Sequence, residues 1–246
     1  MTNRIALVTG GSGGIGREIC RRLVADGMTV LVGYSGGRDR ADALVEELGG
    51  GPHQSVHADI TNPESLAALA TVIAETHGRL HLLVNCGGVT RGVDHDDLEG
   101  LDDELIDRIF TINWRGPFAT IRALESMLRA ADSPVVVNIS SVAGVTGVGS
   151  NVAYCASKAA LDSMTRSLAR ALAPAIRVVS VSPGWVEGEY AKKIDPAFLQ
   201  AQRDTTPLGK LASGADVAAA VSAVVHHLPQ TTGSIIPVDG GRPLGP

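Results

Sequence analysis

The sequence predicts a doubly wound α/β fold, in which one parallel sheet carries helices on both faces. Short runs rich in Val, Ile and Leu alternate with helical stretches along the chain, and this alternation is typical of βαβ units. Of the 246 residues, 44% are hydrophobic but only 3% are aromatic, which favours close packing of helices on a sheet over an aromatic-rich sandwich. We therefore expect a single domain over residues 1–246, because this length lies within the single-domain range for α/β proteins.

Seven apolar runs are the expected strands of a seven-stranded sheet. They are short and almost continuously apolar, as strands buried on both faces of a parallel sheet are. The expected strands are Ile5–Val8, Thr29–Gly33, Gln54–Ala58, Leu80–Asn85, Val135–Ile139, Arg177–Ser182 and Ile235–Val238.

Six longer stretches lie between these strands and are the expected helices. Their length and their mixture of apolar and polar residues are typical of helices that cover one face of a sheet. The expected helices are Gly14–Asp26, Arg38–Leu48, Pro63–His77, Asp103–Arg129, Ala153–Ala173 and Ala215–His227.

Two segments interrupt the regular alternation of strands and helices. One is the acidic run Val93–Asp107, and the other is Gly184–Leu211, whose helical content the sequence leaves open. Both follow strand ends, and ligands of open α/β sheets bind outside the carboxyl ends of the strands, so we expect these segments to shape a substrate pocket. The acidic run taken alone is equally compatible with a solvated surface loop.

Composition and charge exclude several classes of function. The formal net charge is −5 and no long run of Lys or Arg occurs, which argues against nucleic-acid binding and against a basic membrane patch. The chain has no long apolar stretch and no signal-like start, so we expect a cytoplasmic protein. The three cysteines are far apart and the histidines lack the spacing of metal ligands, which predicts reduced thiols and no metal site.

A glycine-rich octapeptide, TGGSGGIG at Thr9–Gly16, separates the first strand from the first helix. It fits G-x-G-x-x-G when read from Gly11 and T-G-x-x-x-G-x-G when read from Gly10. Glycines let the backbone approach phosphate oxygens, and the start of a helix offers unpaired N–H groups and a partial positive charge. Strand, loop and helix together predict a dinucleotide phosphate site.

The end of the second strand bears on which dinucleotide binds. An acidic side chain at this place would bind the ribose 2′-hydroxyl of NAD, but Tyr34 stands there instead. The missing carboxylate removes repulsion against a 2′-phosphate, and Arg38 or Arg40 can supply attraction. NADP(H) is therefore favoured. NAD(H) remains the alternative, because no Arg lies inside the glycine loop and Arg38 is also compatible with the start of a solvated helix.

Tyr154 and Lys158 are the foremost candidates for acid–base chemistry. Their i, i+4 spacing places them on one face of a helix. A free tyrosine has a pKa of about 10, and a nearby ammonium stabilises its phenolate enough for work near neutral pH. The pair alone is common in ordinary helices, but Ser141 follows the fifth strand and can orient a substrate oxygen. Asn113 lies on a helix expected to pack beside the tyrosine helix, so the four residues together form a specific pattern.

On these motifs the chain resembles the short-chain dehydrogenase/reductase family almost from end to end. The resemblance implies a Rossmann fold and a catalytic tetrad of Asn113, Ser141, Tyr154 and Lys158. It also selects the T-G-x-x-x-G-x-G spacing, which leaves Gly11 and Gly13 as variable positions and Asp59 as the adenine-binding acid. The expected cofactor-binding residues are Gly10, Ser12, Gly14, Ile15, Gly16, Tyr34, Arg38, Asp59, Ile60, Asn85, Gly87, Tyr154, Lys158, Pro183, Gly184 and Val186.

The sequence departs from the family's pattern at two places near the cofactor. The family's N-N-A-G is replaced by N-C-G-G at residues 85–88, where Cys86 is expected to be a packed small residue rather than a nucleophile. Gly188 stands where the family usually has a threonine, so a hydroxyl contact to the cofactor is lost or supplied elsewhere.

The segments PLGKLASGADVAAAV and TTGSIIPVDGG are similar in sequence to the 3-oxoacyl-(acyl carrier protein) reductases. This similarity implies an NADP(H)-dependent oxidoreductase that interconverts a ketone and a secondary alcohol, with a 3-oxoacyl or β-keto thioester substrate. In those enzymes an Arg-Gly turn contacts the acidic carrier protein, but here Ala171–Ile176 replaces that turn. The nearby acidic run also opposes carrier docking, although Arg129 can still contact the carrier.

Two alternatives stay open at this point. One is a dehydrogenase of sugars, polyols or other secondary alcohols, and the other is a non-catalytic dinucleotide-binding sensor, which would have kept the fold without the chemistry. The resemblance also implies a homotetramer with contacts through Asp103–Arg129, Ala153–Ala173 and the C-terminal tail.

Overall fold

The computed structural model describes residues 4–188 and 195–242 of the chain. Its strands are β1 (Ile5–Thr9), β2 (Thr29–Tyr34), β3 (Gln54–His57), β4 (Leu82–Asn85), β5 (Val135–Ile139), β6 (Arg177–Pro183), β7 (Val186–Glu187), β8 (Ala212–Ser213) and β9 (Ile235–Val238). Its α-helices are α1 (Gly14–Ala25), α2 (Arg38–Glu47), α3 (Pro63–Thr76), α4 (Asp103–Phe110), α5 (Gly116–Arg129), α6 (Ala143–Thr146), α7 (Val152–Leu172), α8 (Pro196–Asp204) and α9 (Gly214–His226).

The seven strands predicted from the sequence form one parallel sheet in the order β3-β2-β1-β4-β5-β6-β9. The order reverses between β1 and β4, which is the point where doubly wound sheets open a crevice for a ligand. The predicted fold class is therefore confirmed, and the strand bounds agree with the predicted ones to within two residues.

Helices cover both faces of this sheet with two separate apolar layers. The first layer contains Ile19, Leu23 and Val221, from α1 and α9, packed on alternate residues of the central strands. The second contains Leu69 and Leu124, from α3 and α5, packed on the opposite face together with residues of α7. Both faces of the strands are buried, which explains their continuous apolar sequences.

The predicted helix Asp103–Arg129 is interrupted by a π-helical turn, Thr111–Arg115. Pro117 lies in the first turn of α5, and a proline has no N–H with which to bond the carbonyl four residues before it, here that of Asn113. The wider turn accommodates this missing bond. It also contains one of the predicted catalytic residues, as π-helical turns frequently do.

Three short features were not predicted: α6, α8 and the two-stranded sheet of β7 and β8. All lie at the carboxyl end of the main sheet, where tertiary contacts rather than periodicity decide the local structure. The helix α8 falls in the segment Gly184–Leu211, of which residues 189–194 lie outside the described part. The last four residues of the C-terminal tail lie outside it as well. Within residues 4–188 and 195–242, no helix has the length and apolar character needed to span a bilayer.

Candidate active site

A large open cleft runs along the carboxyl ends of the central strands. Its volume is about 2360 Å³. It extends from Tyr34 at the tip of β2, across the glycine loop, to Ser141 and Tyr154. The two segments that interrupt the predicted alternation contribute to its walls, through Val93 on one side and Trp185 on the other. The expectation that both segments shape a pocket thus agrees with the geometry.

The glycines of the first loop serve two different purposes. Gly10 has φ +64°, a left-handed conformation that favours glycine, and a Cβ on Gly16 would overlap the Gly10 carbonyl oxygen. A Cβ on Gly14 would meet no atom within 4 Å. Gly10 and Gly16 are thus required by the protein's own packing, whereas Gly14 keeps space clear on the cleft side.

Gly11 was expected to be a variable position, and the structure corrects this. A Cβ there would lie 2.9 Å from the carbonyl oxygen of Val8 and 3.1 Å from Cγ1 of Val32, so the loop packs too closely against the sheet for a side chain. Gly13 is less constrained, because its nearest such contact is 3.3 Å, to the Gly10 carbonyl oxygen. The sequence spacing alone does not report the packing beneath the loop.

Tyr154 and Lys158 lie on one face of α7 and both line the cleft. The Lys158 Nζ lies 5.7 Å from the centre of the Tyr154 ring and donates a hydrogen bond of 2.9 Å to the Ile139 carbonyl oxygen. Burial lowers the pKa of Lys158 to about 8. Lys158 therefore carries a positive charge at neutral pH, and that charge is close enough to stabilise a phenolate.

Ser141 and Asn113 occupy different positions relative to the cleft. Ser141 follows β5, lines the cleft and accepts a hydrogen bond of 3.2 Å from the Ala143 N–H. Asn113 is fully buried, and its side-chain amide bonds both backbone groups of Val89, at 2.8 and 3.0 Å, and the Ser157 hydroxyl at 3.1 Å. The Asn113 side chain thus joins the loop after β4 to the tyrosine helix instead of facing a substrate.

Known proteins are similar to this chain in both sequence and fold. The family model described as enoyl-(acyl carrier protein) reductase matches residues 10–242. A Streptomyces violaceoruber protein assigned as ketoacyl reductase 2 of the granaticin polyketide synthase is 35% identical over 246 residues, which cover 98% of this chain and 96% of the relative. The 3-oxoacyl-[acyl-carrier-protein] reductase of Staphylococcus aureus strain N315 is 30% identical over 240 residues, which cover 96% of each protein.

A solved Brucella melitensis structure, described as a short-chain dehydrogenase/reductase of the glucose/ribitol dehydrogenase type, has a TM-score of 0.91 and is 28% identical. The match covers 98% of this chain and 96% of that one. The chain belongs to the short-chain dehydrogenase/reductase family. The protein is accordingly an oxidoreductase that acts on CH–OH and C=O groups, and enzymes of this family use a nicotinamide dinucleotide.

The cleft of this short-chain dehydrogenase/reductase fits a dinucleotide at two places. The first is the start of α1, where the N-cap Gly13 provides no side-chain hydrogen bond, so the N–H groups of the first turn are available to phosphate oxygens. The second is Asp59, whose Oδ1 accepts hydrogen bonds from the Thr61 N–H at 2.9 Å and from the Thr61 hydroxyl at 2.7 Å. These bonds lower the pKa of Asp59. Both are accepted by Oδ1, so among the described residues Oδ2 has no hydrogen-bond partner and can bind a ligand.

Most of the predicted cofactor residues line this cleft. Those that do are Gly10, Ser12, Gly14, Ile15, Gly16, Tyr34, Asp59, Ile60, Gly87, Tyr154, Lys158, Pro183, Gly184 and Val186. Gly88 separates Asn113 from Lys158, since a Cβ on it would lie 3.5 Å from the Asn113 Oδ1 and 3.8 Å from the Lys158 Nζ. Cys86 is a neutral thiol packed on the core, because burial raises its pKa to about 12, as expected for a small packed residue.

Two predicted cofactor residues lie elsewhere. The Arg38 side chain is 75% exposed and its Nε lies 3.4 Å from the Asp42 Oδ2, because its place in the first turn of α2 directs it to solvent. The Asn85 side chain is buried inside the sheet and donates a hydrogen bond of 2.9 Å to the Asn138 Oδ1, so it joins β4 to β5. Arg40, the other arginine considered for the 2′-phosphate, does line the cleft.

Sequence reasoning missed Asn151, which connects the tyrosine helix to the loop after β4. Its Oδ1 accepts from the Tyr154 N–H at 2.7 Å, and its Nδ2 donates to the Arg91 carbonyl oxygen at 2.7 Å and to the Thr90 hydroxyl at 3.3 Å. Asn is a preferred N-cap residue, so its position three residues before Tyr154 could have indicated the cap. The contacts to residues 90 and 91 had no signal in the sequence.

Replacing Asn151 with Ala is expected to destabilise the protein by about 1–2 kcal/mol, because the change removes a helix cap together with the hydrogen bond to the Arg91 carbonyl oxygen. It should also lower kcat, since the start of the helix that positions Tyr154 loses its anchor. Urea unfolding and steady-state kinetics measure the two effects. The matched control is Asn62→Ala, which removes the exposed N-cap of α3 and should reduce stability without affecting kcat. An equal effect of both changes on kcat would contradict the positioning role of Asn151.

Proposed function

We propose that the protein is an NADP(H)-dependent reductase of 3-oxoacyl or related β-keto thioester substrates, with Tyr154 as its acid and base. The observation that carries the proposal is the placement of Tyr154 on the cleft beside the buried ammonium of Lys158, whose Nζ lies 5.7 Å from the ring centre. The names of two full-length relatives, a ketoacyl reductase and a 3-oxoacyl-[acyl-carrier-protein] reductase, support the substrate class.

In this proposal Ser141, Tyr154 and Lys158 act together on the substrate carbonyl. The Ser141 hydroxyl hydrogen-bonds the carbonyl oxygen and so orients it towards Tyr154. When bound, the nicotinamide ring supplies or accepts the hydride. Tyr154 donates its phenolic proton to the developing alkoxide, and the Lys158 ammonium stabilises the phenolate that remains. In the reverse direction the phenolate takes the proton from the alcohol.

Asn113 has an indirect part in the proposal. Its side chain fixes Val89 and Ser157. The backbone carbonyl oxygen of Asn113 receives no hydrogen bond from residue 117, because Pro117 has no N–H. We propose that this carbonyl supports a water-linked path that returns a proton to Lys158. The Asn113 side chain and the Lys158 ammonium lie on either side of Gly88, which brings the two residues into the same part of the cleft wall.

The preference for NADP(H) rests on the tip of β2. Tyr34 replaces the acid that would select NAD, and Ser35, Gly36 and Arg40 line the same part of the cleft. The Arg40 guanidinium folds back over this turn and lies 3.4 Å from the Gly36 carbonyl oxygen. We propose that Arg40, rather than Arg38, binds the 2′-phosphate, since a guanidinium suits phosphate geometry.

Replacing Arg40 with Ala is expected to raise the Kd for NADPH about tenfold, because a charge-assisted hydrogen bond contributes about 1.5–3 kcal/mol. The Kd for NADH, which lacks the 2′-phosphate, should stay within a factor of two. Cofactor fluorescence titrations measure both constants. Arg38→Ala is the matched control, since Arg38 is paired with Asp42 and exposed, and it should leave both constants unchanged. Equal loss of NADPH and NADH affinity in Arg40→Ala would argue against this assignment.

We propose further that the protein is a single-domain homotetramer of the cytoplasm, with contacts through α5, α7 and the C-terminal tail. In support, Trp114 stacks on Phe118 with ring centres 6.2 Å apart, and Trp114 is exposed at the start of this surface. The mass of the particle in solution, by light scattering, tests the assembly. A monomer at micromolar concentration would contradict it.

Initial rates with NADPH and NADH on a panel of carbonyl compounds test the proposed function most directly. The panel contains acetoacetyl-CoA, a steroid ketone, a keto sugar and an aryl ketone. We expect the highest kcat/KM for acetoacetyl-CoA with NADPH. Preference for the sugar would instead indicate a sugar or polyol dehydrogenase. Cofactor binding without turnover of any substrate would indicate a dinucleotide-binding sensor.

A further inference from the structure

A buried carboxylic acid that the proposed mechanism does not use lies on the catalytic helix. Asp162 is 2% exposed and follows Lys158 by four residues on α7. Neither of its carboxylate oxygens has a hydrogen-bond partner among the described residues. Burying a polar group without a partner costs free energy, so its presence at this position requires a physical reason.

The uncharged groups around Asp162 are two serine hydroxyls from the sheet. Ser140 follows β5 and Ser180 belongs to β6, and both act on the carboxyl group. Each hydroxyl also bonds elsewhere: Ser140 to the Lys158 carbonyl oxygen at 3.4 Å, and Ser180 to the Thr165 hydroxyl at 2.8 Å. Asp162 therefore lies in a polar environment but is not held by a hydrogen bond of normal geometry.

The charged groups around Asp162 are Lys158 and Arg166, one turn before it and one turn after it on α7. Arg166 is exposed, so water screens its charge, whereas Lys158 is buried. Burial raises the pKa of Asp162, and both cations and both serine hydroxyls oppose the rise. The interaction with Lys158 is the one that passes through the protein interior.

Lys158 in turn has few groups that can balance its charge. Tyr154 faces it from α7, and Cys86 faces it from the end of β4. Burial raises the pKa of Cys86 to about 12, so this thiol is neutral at the pH of the reaction and supplies no counter-charge. Asp162 is the carboxylate that acts on Lys158 among the described residues.

We propose that Asp162 is a positioning residue whose carboxylate is the buried counter-charge that holds Lys158 as an ammonium beside Tyr154. This rests on the function proposed above, in which that ammonium stabilises the phenolate. The i, i+4 spacing keeps the two groups one turn apart, and the Lys158 Nζ donates to the Ile139 carbonyl oxygen. The carboxylate thus balances the charge without drawing the ammonium away from the cleft.

The pH profile of ketone reduction tests the proposal. Asp162→Asn keeps the shape of the side chain and removes its charge, so Lys158 should lose its proton at a lower pH. We expect the alkaline limb of kcat/KM to move down by about one pH unit, as the loss of one nearby opposite charge implies. Asp162→Glu should retain the wild-type limb. Glu75→Gln removes an exposed carboxylate of α3 and should leave the profile unchanged.

A purely structural role would lower activity equally at every pH. An alkaline limb in Asp162→Asn at the wild-type position would therefore overturn the proposal. The Tyr154→Phe variant distinguishes failure of the Asp162 role from failure of the proposed function. If Tyr154→Phe is inactive while Asp162→Asn keeps the wild-type limb, the Asp162 role fails and the proposed function stands. If Tyr154→Phe keeps full activity, the proposed function itself fails.

A second test needs no cofactor and no activity. Urea unfolding of the full chain without cofactor compares the wild type, Asp162→Asn, Lys158→Met and the double variant. We expect Asp162→Asn to shift the midpoint less in the Lys158→Met background, because no buried ammonium is then left unpaired. If Asp162→Asn alone does not fold, the double variant should recover folding. Equal shifts in both backgrounds, or failure to fold in both, would overturn the proposal.

Discussion

Replacing Tyr154 with phenylalanine is expected to lower kcat for ketone reduction by about 10²–10⁴-fold, which is the range that a positioned general acid contributes. The phenolic hydroxyl is the acidic group that Lys158 faces on α7, and Phe keeps the ring but has no proton to give. Steady-state kinetics with NADPH and the best substrate of the panel measure the effect. NADPH affinity, measured by fluorescence, should change by less than a factor of three, because the ring and Lys158 remain.

Tyr34→Phe is the matched control for Tyr154→Phe. Tyr34 lines the opposite, adenosine end of the same cleft, so removal of its hydroxyl should leave kcat unchanged and should affect only cofactor affinity. A Tyr154→Phe variant with near-wild-type kcat would refute the acid–base mechanism. Equal losses of kcat in the two variants would show that the phenol at position 154 has no special part in the chemistry.

The pH dependence of the wild-type enzyme follows from the same residues. Burial lowers the pKa of Lys158 to about 8, so the ammonium is present below this pH and is lost above it. We therefore expect the rate of reduction to fall as pH rises through about 8, since the phenolate formed by Tyr154 loses its stabilising charge. This falling limb is the reference for the Asp162→Asn comparison.

The fold was predictable because its signals are local and repeated. Each strand is an almost continuous apolar run and each long helix has its own apolar face, so the seven strands and the main helices could be assigned one at a time. The π-helical interruption at Thr111–Arg115 was not predicted, although Pro117 is consistent with it. Proline is also common in the first turn of a regular helix, so Pro117 alone did not indicate a π-helical turn.

The candidate site was predictable where its residues are close in sequence or follow strand ends. Tyr154 and Lys158 share a helix face by their spacing, and Ser141 follows a strand at the same sheet edge. Asn151 and Asp162 were not identified, since their importance depends on what they contact: the chain at residues 90 and 91 for the first, and the buried Lys158 for the second. Burial and hydrogen-bond satisfaction are tertiary properties that no spacing reports.

In the glycine loop, too, the effect of a substitution depends on packing that the sequence spacing does not report. Gly16→Ala places a methyl group against the Gly10 carbonyl oxygen and 2.9 Å from the Gly11 Cα. These are backbone atoms, which cannot rotate away, so we expect a loss of at least about 2 kcal/mol in the free energy of unfolding, within the range of overpacked sites. Because the loop must shift, affinity for either dinucleotide should fall at least tenfold. Urea unfolding and fluorescence titration measure the two quantities.

Gly14→Ala is the matched control, because the same methyl group there meets no protein atom within 4 Å. Stability should be unchanged or rise by up to about 1 kcal/mol, since Ala is a better helix former than Gly. Cofactor affinity should nevertheless fall, because the methyl group enters the space through which the start of α1 approaches the pyrophosphate. Full retention of affinity in Gly14→Ala would show that the phosphates lie elsewhere. Stability and affinity that change in opposite directions would distinguish a glycine kept for the ligand from one, such as Gly16, that the protein itself requires.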